Sequence, residues 1–287
     1  RIRRGPRPGV AALCEAGGFD AATLSARGIA FGLGPRLNAA GRMADATTAL
    51  DVLLSAHDDE ARPLAARIEH LNRERRAATD VAVEAALAGI DGRIAGPLLT
   101  YASPDVALGV IGLVAGQLTQ AHYRPAAVFK VDGELARASL RSIPEFSVID
   151  ALDRIAPLLE RHGGHDRAGG LTARTDRIDA ICEALGALAA EALAPHDLRP
   201  AVAIDAEVGI EAIDDALFAR LQALEPFGEG NPAPVLLSRD VAVGSRRLVG
   251  ERHLKLFLPT ARGGLEAMAF GQGERLVGLG EVEQVMG

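Results

Sequence analysis

The span from Asp58 to Ala88 constrains this chain more than any other. Leu64, Ile68, Leu71, Ala78, Val81 and Ala85 recur near the 3.6-residue period, which predicts one long helix with an apolar stripe. Asp58 and Asp59 are suited to cap its start, where the helix dipole favours acids. Pro63 falls in the first turns, where a missing N–H costs least. Gly89, Gly92 and Gly96 mark the boundary that ends it. His57, Asp58, Asp59 and Glu60 resemble metal ligands, but consecutive residues at a helix start diverge, so capping is the expected role.

Before that helix, residues 1–45 read as loop-rich, with a short helix around Val10–Glu15 and another through Ala46–Ser55. After it, a second unit is expected from Arg93. Leu98–Tyr101 reads as a strand and Val106–Ala121 as a helix with glycines that permit tight packing. Pro125–Val131 and Glu134–Leu140 read as strands paired across Asp132-Gly133, a hairpin signal. Ser147–Arg161 is predicted as an amphipathic helix ended by Gly163 and Gly164. Ala168–Ala173 reads as a strand and Asp176–Leu193 as a helix, and this alternation argues for an α/β unit. Past a linker at Pro195–Pro200, strands are predicted at Ala201–Val208, Pro234–Ser238, Val241–Leu248, His253–Leu258 and Leu265–Phe270, with a helix near Asp214–Ala223. Such a run of short strands fits a small barrel.

The 287 residues suffice for two or three domains, and a hydrophobic fraction of 48% with 24% charged residues reads as globular. The net charge of −7 argues against a uniformly basic nucleic-acid coat but allows a local basic groove. Aromatics are only 3% and Trp is absent, so base-stacking platforms are scarce. Cys14 and Cys182 are far apart in sequence and form no paired motif, which fits a reducing cytoplasm. No apolar run is long enough to span a bilayer and no secretory signal opens the chain, so no membrane partner is expected. The absent initiator Met and the unfinished final element predict an internal piece of a longer protein.

Chemistry concentrates in Phe31–Arg42, where glycines, small alanines, Asn38 and two guanidiniums (Arg36 and Arg42) share one short span. Glycine lets a phosphate approach the backbone, and each arginine can grip a phosphate with a two-pronged fork. The same residues also read as a glycine-broken turn opening the helix near Asp45. Gly163-Gly164-His165 likewise reads either as a helix C-cap with a surface imidazole or as a group that reaches a bound phosphate. Strand alternation puts Ser139 and Arg141 on one face, where they could bind a phosphate and sugar. His162 lacks the further partners a metal site would need. Arg73, Arg75 and Arg76 read as a solvated helix face, with a phosphate track as the alternative.

Four segments in order resemble the RecJ single-strand-specific exonucleases, of the DHH/DHHA1 phosphoesterase superfamily. Gly34–Arg42 is similar to a signature of that family. Leu71–Arg76 is similar to its connecting helix, and Gly163–His165 with Ala168–Gly170 to its DHHA1 signature. Glu225–Pro232 is similar to the entrance of its OB-type domain. The resemblance implies an α/β fold: the C-terminal part of a DHH domain (1–57), a connecting helix (58–92), a DHHA1 domain (93–196) and an incomplete OB-like barrel (197–287). It implies that His165, Arg42 and Asn38 serve catalysis, and that Arg36, Ser139, Arg141, Ser142, Gly163 and Gly164 bind substrate. Val106 and Ala107 stand where the family has Trp-His, and Ala138 replaces a glycine.

The parent protein implied is a metal-dependent 5′–3′ exodeoxyribonuclease using Mn²⁺ or Mg²⁺. Its partners would be single-stranded DNA, a single-strand-binding protein and other repair proteins, and it would be a cytoplasmic monomer. Neither Asp-His-His nor Asp-x-Asp occurs in this sequence, so no metal ligand is assigned and the piece is expected to bind no metal and to be inactive alone. The rivals are another DHH–DHHA1 oligonucleotide phosphodiesterase and a non-catalytic module that binds single strands or a replication partner.

Overall fold

The computed structural model describes residues 2–90, 96–250 and 253–273, in two compact units, Arg1–Pro200 and Ala201–Gly287. The expected boundary at Gly92 and Arg93 and the end of the barrel past residue 273 lie outside the described residues.

The first unit opens with helices α1 (Pro8–Gly17), α2 (Ala26–Gly28), α3 (Gly34–Met43) and α4 (Thr47–Leu54). A π-helical turn at Ile29–Leu33 joins α2 to α3, so residues 26–43 run as one helical segment. The loop-rich expectation for this region is therefore corrected. Pro8 and Pro35 both sit in first turns, where the ring angle suits a helix, and the glycines lie inside helical turns. Fully buried Ala39 and Ala40 pack α3 onto Leu71, so tertiary contact overrides the low helix propensity of Gly34 and Gly41.

Helix α5 (Asp58–Ile90) runs 33 residues, about 50 Å at 1.5 Å per residue. Its buried positions are Ala61, Ala65, Ile68, Leu71, Asn72, Thr79, Ala82, Ala86 and Ile90. The stripe expected at Val81 and Ala85 is thus off by one residue, and Val81 is exposed. The reason is that α5 changes partner: Ala61, Ala65 and Ile68 join a core with α1 and α4, whereas Ala82, Ala86 and Ile90 join a core with the sheet.

That sheet comprises β1 (Leu99–Ser103), β2 (Ala126–Asp132), β3 (Leu135–Arg141), β4 (Arg161–His165) and β5 (Ala168–Arg174) in the order β1-β2-β3-β5-β4. Only β1 and β2 are parallel, joined through α6 (Ile111–His122). Gly133, at φ 59°, makes the expected turn between β2 and β3. One face carries Ala127, Phe129, Ala138, Leu140 and Leu171 against α7 (Val148–Arg154) and α8 (Ile178–Leu193). The other face is covered by α6 only over β2 and β3, leaving β5 and β4 open.

Two expectations change here. The helix predicted from Val106 starts at Ile111, after a 3-10 turn at Leu108–Val110. The helix predicted through Arg161 ends at Arg154, because Pro157 cannot donate a helical hydrogen bond and Ala156–Leu158 tightens to 3-10. Gly163 and Gly164 consequently form strand β4 rather than a helix cap.

The second unit holds two short parallel strands, β6 (Ala206–Glu207) and β7 (Leu236–Leu237), helix α9 (Asp215–Gln222), and an antiparallel sheet of β8 (Ser245–Val249), β9 (His253–Leu258) and β10 (Leu265–Ala269). Asp214 caps α9, its carboxylate accepting the Leu217 N–H at 2.8 Å. Strands predicted at Ala201–Val208 and Pro234–Ser238 shrink to two residues each, whereas His253–Leu258 lies as expected.

Gly164→Ala should destabilise the first unit by about 1–3 kcal/mol, because its φ of 153° excludes side chains and a Cβ would lie 2.4 Å from Ala168 O. Urea unfolding followed by circular dichroism would measure this; an unchanged midpoint would contradict the strain.

Candidate nucleic-acid interface

Three elements of the first unit converge on one basic hollow. The end of α3 brings Arg42 beside it, outside its lining but close enough for its charge to act on Arg75 and Arg141, and its Nη1 donates to Gly109 O at 3.1 Å. A Cβ on Gly109 would lie 2.0 Å from Arg42 O, so the two backbones abut with no room for a side chain. The end of β3 brings Ser139 and Arg141, which alternation places on the α6 face. A Cβ on Gly112 would meet Arg141 Nη2 at 2.9 Å and Ser139 Oγ at 3.0 Å, so that glycine is a notch in α6 for the guanidinium. Arg141 Nη1 donates to Ser139 Oγ at 3.0 Å and to Leu140 O at 2.7 Å. Helix α5 adds Arg75 and Arg76.

The hollow among Arg75, Arg76, Asp80, Arg141, Gly112 and Gly116 has a volume of about 370 Å³, with three guanidiniums against one carboxylate. Burial, and then the Arg42 charge, push the Arg141 pKa below the usual arginine value. Burial also lowers that of Arg75, with further contributions from Arg76, Arg42 and Arg36 against the single opposing charge of Asp80. Among the described residues, Arg42, Arg75, Arg76 and Arg141 form no ion pair with a carboxylate, and Arg75 Nε is buried without a partner. Half-buried cations that lack compensating anions are costly, and a bound anion removes that cost.

His165 lies on the same sheet face. Arg141 pairs with Ala168 on β5, and Ala168 with His165 on β4, so the three form one row across the strands. Two interstrand steps separate Arg141 from His165, about 10 Å. The imidazole is exposed, and its Nδ1 accepts the Arg167 N–H at 3.3 Å, which leaves Nε2 to carry hydrogen.

The remaining residues expected at the site divide. Asn38 is exposed one turn before Arg42 on the same face of α3. Arg36 is corrected to a framework role: it is buried, contacts Glu69 Oε2 at 2.6 Å, donates to Gly32 O at 2.9 Å and lies over the Phe19 ring. Ser142 is likewise consumed by the fold, its buried hydroxyl donating to Phe146 O at 2.7 Å. Gly163 faces open space on the His165 side, whereas alternation turns Gly164 to the other face. His162 also faces that side and contacts Asp153 at 2.8 Å. Val106 is buried and Ala107 exposed just before the 3-10 turn.

The sequence reads Arg73, Arg75 and Arg76 as a solvated face, with a phosphate track as the alternative, and Gly112 as a packing glycine rather than a notch for Arg141. The usable signal was the helical offset: Arg75 follows buried Asn72 by three residues and precedes buried Thr79 by four, so it sits on the packed side of α5. Among the described residues, no group of three or more His, Cys, Asp or Glu side chains is placed to hold a metal ion.

Arg36→Ala should cost about 3 kcal/mol of stability, because it strands Glu69 in a largely buried setting. Arg42→Ala should leave the melting temperature nearly unchanged, since Arg42 is exposed and makes one side-chain hydrogen bond. Thermal melts of both variants would check this, and equal losses would contradict the division of roles.

Comparison with known proteins finds two domain families and a set of relatives. The DHHA1 domain family matches residues 95–191 and the RecJ OB domain family residues 204–286. The single-stranded-DNA-specific exonuclease RecJ of Escherichia coli is 34% identical over 284 residues, covering 94% of this chain and 49% of that protein. The RecJ of Bacillus subtilis is 31% identical, covering 97% of this chain and 36% of that protein. A crystal structure of Thermus thermophilus RecJ in complex with Mg²⁺ superposes with a TM-score of 0.80 at 30% identity, over 95% of this chain and 42% of that one. The chain thus spans half or less of the length of the relatives it matches. Over that span the chain is similar to RecJ proteins, with a DHHA1 domain followed by a RecJ OB domain.

Proposed function

We propose that this chain is the strand-gripping part of a RecJ-type exonuclease that degrades single-stranded DNA in the 5′–3′ direction. The observation that carries the reading is the cluster of Arg42, Arg75, Arg76 and Arg141, none of them in an ion pair among the described residues, with Arg141 in one row with His165. The parts proposed are 1–57 from a DHH domain, 58–92 as connecting helix, 93–196 as DHHA1 domain and 197–287 as OB-like domain.

In this reading Arg42 and Arg141 hold a backbone phosphate, and Asn38 adds an amide from the same face of α3. The Ser139 hydroxyl fixes the Arg141 guanidinium and so fixes the phosphate. His165 presents its Nε2–H to the strand, where it donates to a phosphate oxygen as negative charge develops on it. A bound Mn²⁺ or Mg²⁺ would supply an activated water for phosphodiester cleavage. The described residues offer no cluster for such an ion, so this chain's own contribution is binding and orientation. The same observation favours one alternative, a module that binds single strands without cutting them. A cytoplasmic monomer, with a single-strand-binding protein or other repair proteins as partners, completes the proposal; no described helix is long and apolar enough to cross a membrane.

In the longer nuclease, Arg42→Ala and His165→Ala should each lose about 2.7–4 kcal/mol of transition-state stabilisation, the effect of removing one oxyanion donor. Steady-state release of mononucleotides from a 5′-labelled single strand with Mn²⁺ would measure it. Unchanged turnover in both variants contradicts the assigned roles. The 287-residue chain alone should release no nucleotide in that assay, and release would place the whole active site within it.

A further inference from the structure

The open sheet face continues past the row of Arg141 and His165. Its next row is Ser139, Gly170 and Gly163, and the one after is Arg137, Thr172 and Arg161. Alternate residues of a strand lie about 6.8 Å apart, so the third row sits about 14 Å from the first. A second hollow of about 370 Å³ lies there, lined by Arg137, Arg161, Thr172, Gly170, Leu108 and Ile111. Arg137 and Arg161 are exposed, and among the described residues neither pairs with a carboxylate.

The glycines between the rows separate into two kinds. On the packed face, Gly169 is required, because a Cβ would lie 2.6 Å from Val148 and 2.9 Å from Leu152. On the open face, a Cβ on Gly163 would meet nothing within 4 Å, and one on Gly170 only Ala138 O at 3.4 Å. Packing therefore accounts for the first and not for the other two. A bare floor bounded by guanidiniums lets a sugar–phosphate backbone lie against the strands. The wall of Leu108 and Ile111 offers aliphatic contact where aromatic side chains are missing.

We infer that Arg137, Thr172 and Arg161 form a second phosphate subsite, which holds the single strand farther along the backbone while the strand crosses the Gly163–Gly170 floor. This rests on reading the chain as a single-strand binder. The two guanidiniums flank the Thr172 hydroxyl from either side, so one phosphate can accept from all three. The subsite adds affinity only to strands long enough to reach it from the Arg42 and Arg141 hollow.

The test is fluorescence anisotropy of the 287-residue chain with 5′-phosphorylated oligothymidylates of increasing length, across a salt series. Wild type should gain affinity as the strand lengthens from two nucleotides to six. Arg137→Gln with Arg161→Gln should abolish most of that gain, weakening the hexamer about tenfold and reducing the log–log salt slope by about 0.7, the loss of one phosphate contact, while leaving the dinucleotide unchanged. Gly163→Leu, whose Cβ would meet nothing within 4 Å, should block the long strand without removing charge. Arg42→Gln with Arg141→Gln should instead weaken every length. A wild-type gain with length that survives both the double arginine variant and Gly163→Leu overturns the second subsite alone. Failure of wild type to bind any oligomer overturns the single-strand reading and this subsite with it.

Discussion

Helix α5 belongs to two hydrophobic cores at once, and the basic hollow depends on that. Its first half is anchored by Ala61, Ala65 and Ile68, its second by Ala82, Ala86 and Ile90. Arg75 falls where the helix passes from one core to the other. A side chain there is half enclosed by packing it does not join. Burial of this kind raises the cost of a lone charge and sharpens its attraction for a counter-charge. The abutment of Arg42 against Gly109 makes the same seam rigid from the α3 side, because backbone meets backbone with no flexible side chain between.

The acidic balance of the whole chain and the basic character of this hollow are compatible. Many of the arginines elsewhere are neutralised locally, as Arg62 is by Glu15, Arg154 by Glu191 and Arg239 by Glu207. Those around the hollow form no such ion pair among the described residues and outnumber Asp80, the carboxylate that lines it. Placement of charge, rather than its sum, is what recommends a polyanion as ligand. The sheet extends the logic, since antiparallel pairing lines up residues from β3, β5 and β4 that are far apart in sequence.

Much of this was legible beforehand, for identifiable reasons. The hairpin at Asp132-Gly133, the start of α5 and the alternation of Ser139 with Arg141 are local signals, and the structure carries each of them. The helical state of Gly34–Met43 was not legible, because its glycines and alanines are stabilised by Leu71 rather than by their own propensity. Strand β4 was hidden because two glycines after a helix read as a cap, and only pairing with β5 shows otherwise. Arg36 and Arg42 look alike in sequence, yet one is held by Glu69 and Phe19 and the other faces solvent. Nothing in the spacing separates them; the position of Glu69 on α5 does.

The crowding of like charges in the hollow has a thermodynamic corollary. Arg42, Arg75, Arg76 and Arg141 repel one another most when the space between them holds only water. The vacant protein therefore carries a standing electrostatic penalty, which any polyanion relieves as it docks. Folding and anion binding are linked quantities: an anion bound there would stabilise the fold, and salt, by screening the repulsion, stabilises the free protein while it weakens the attraction for any polyanion.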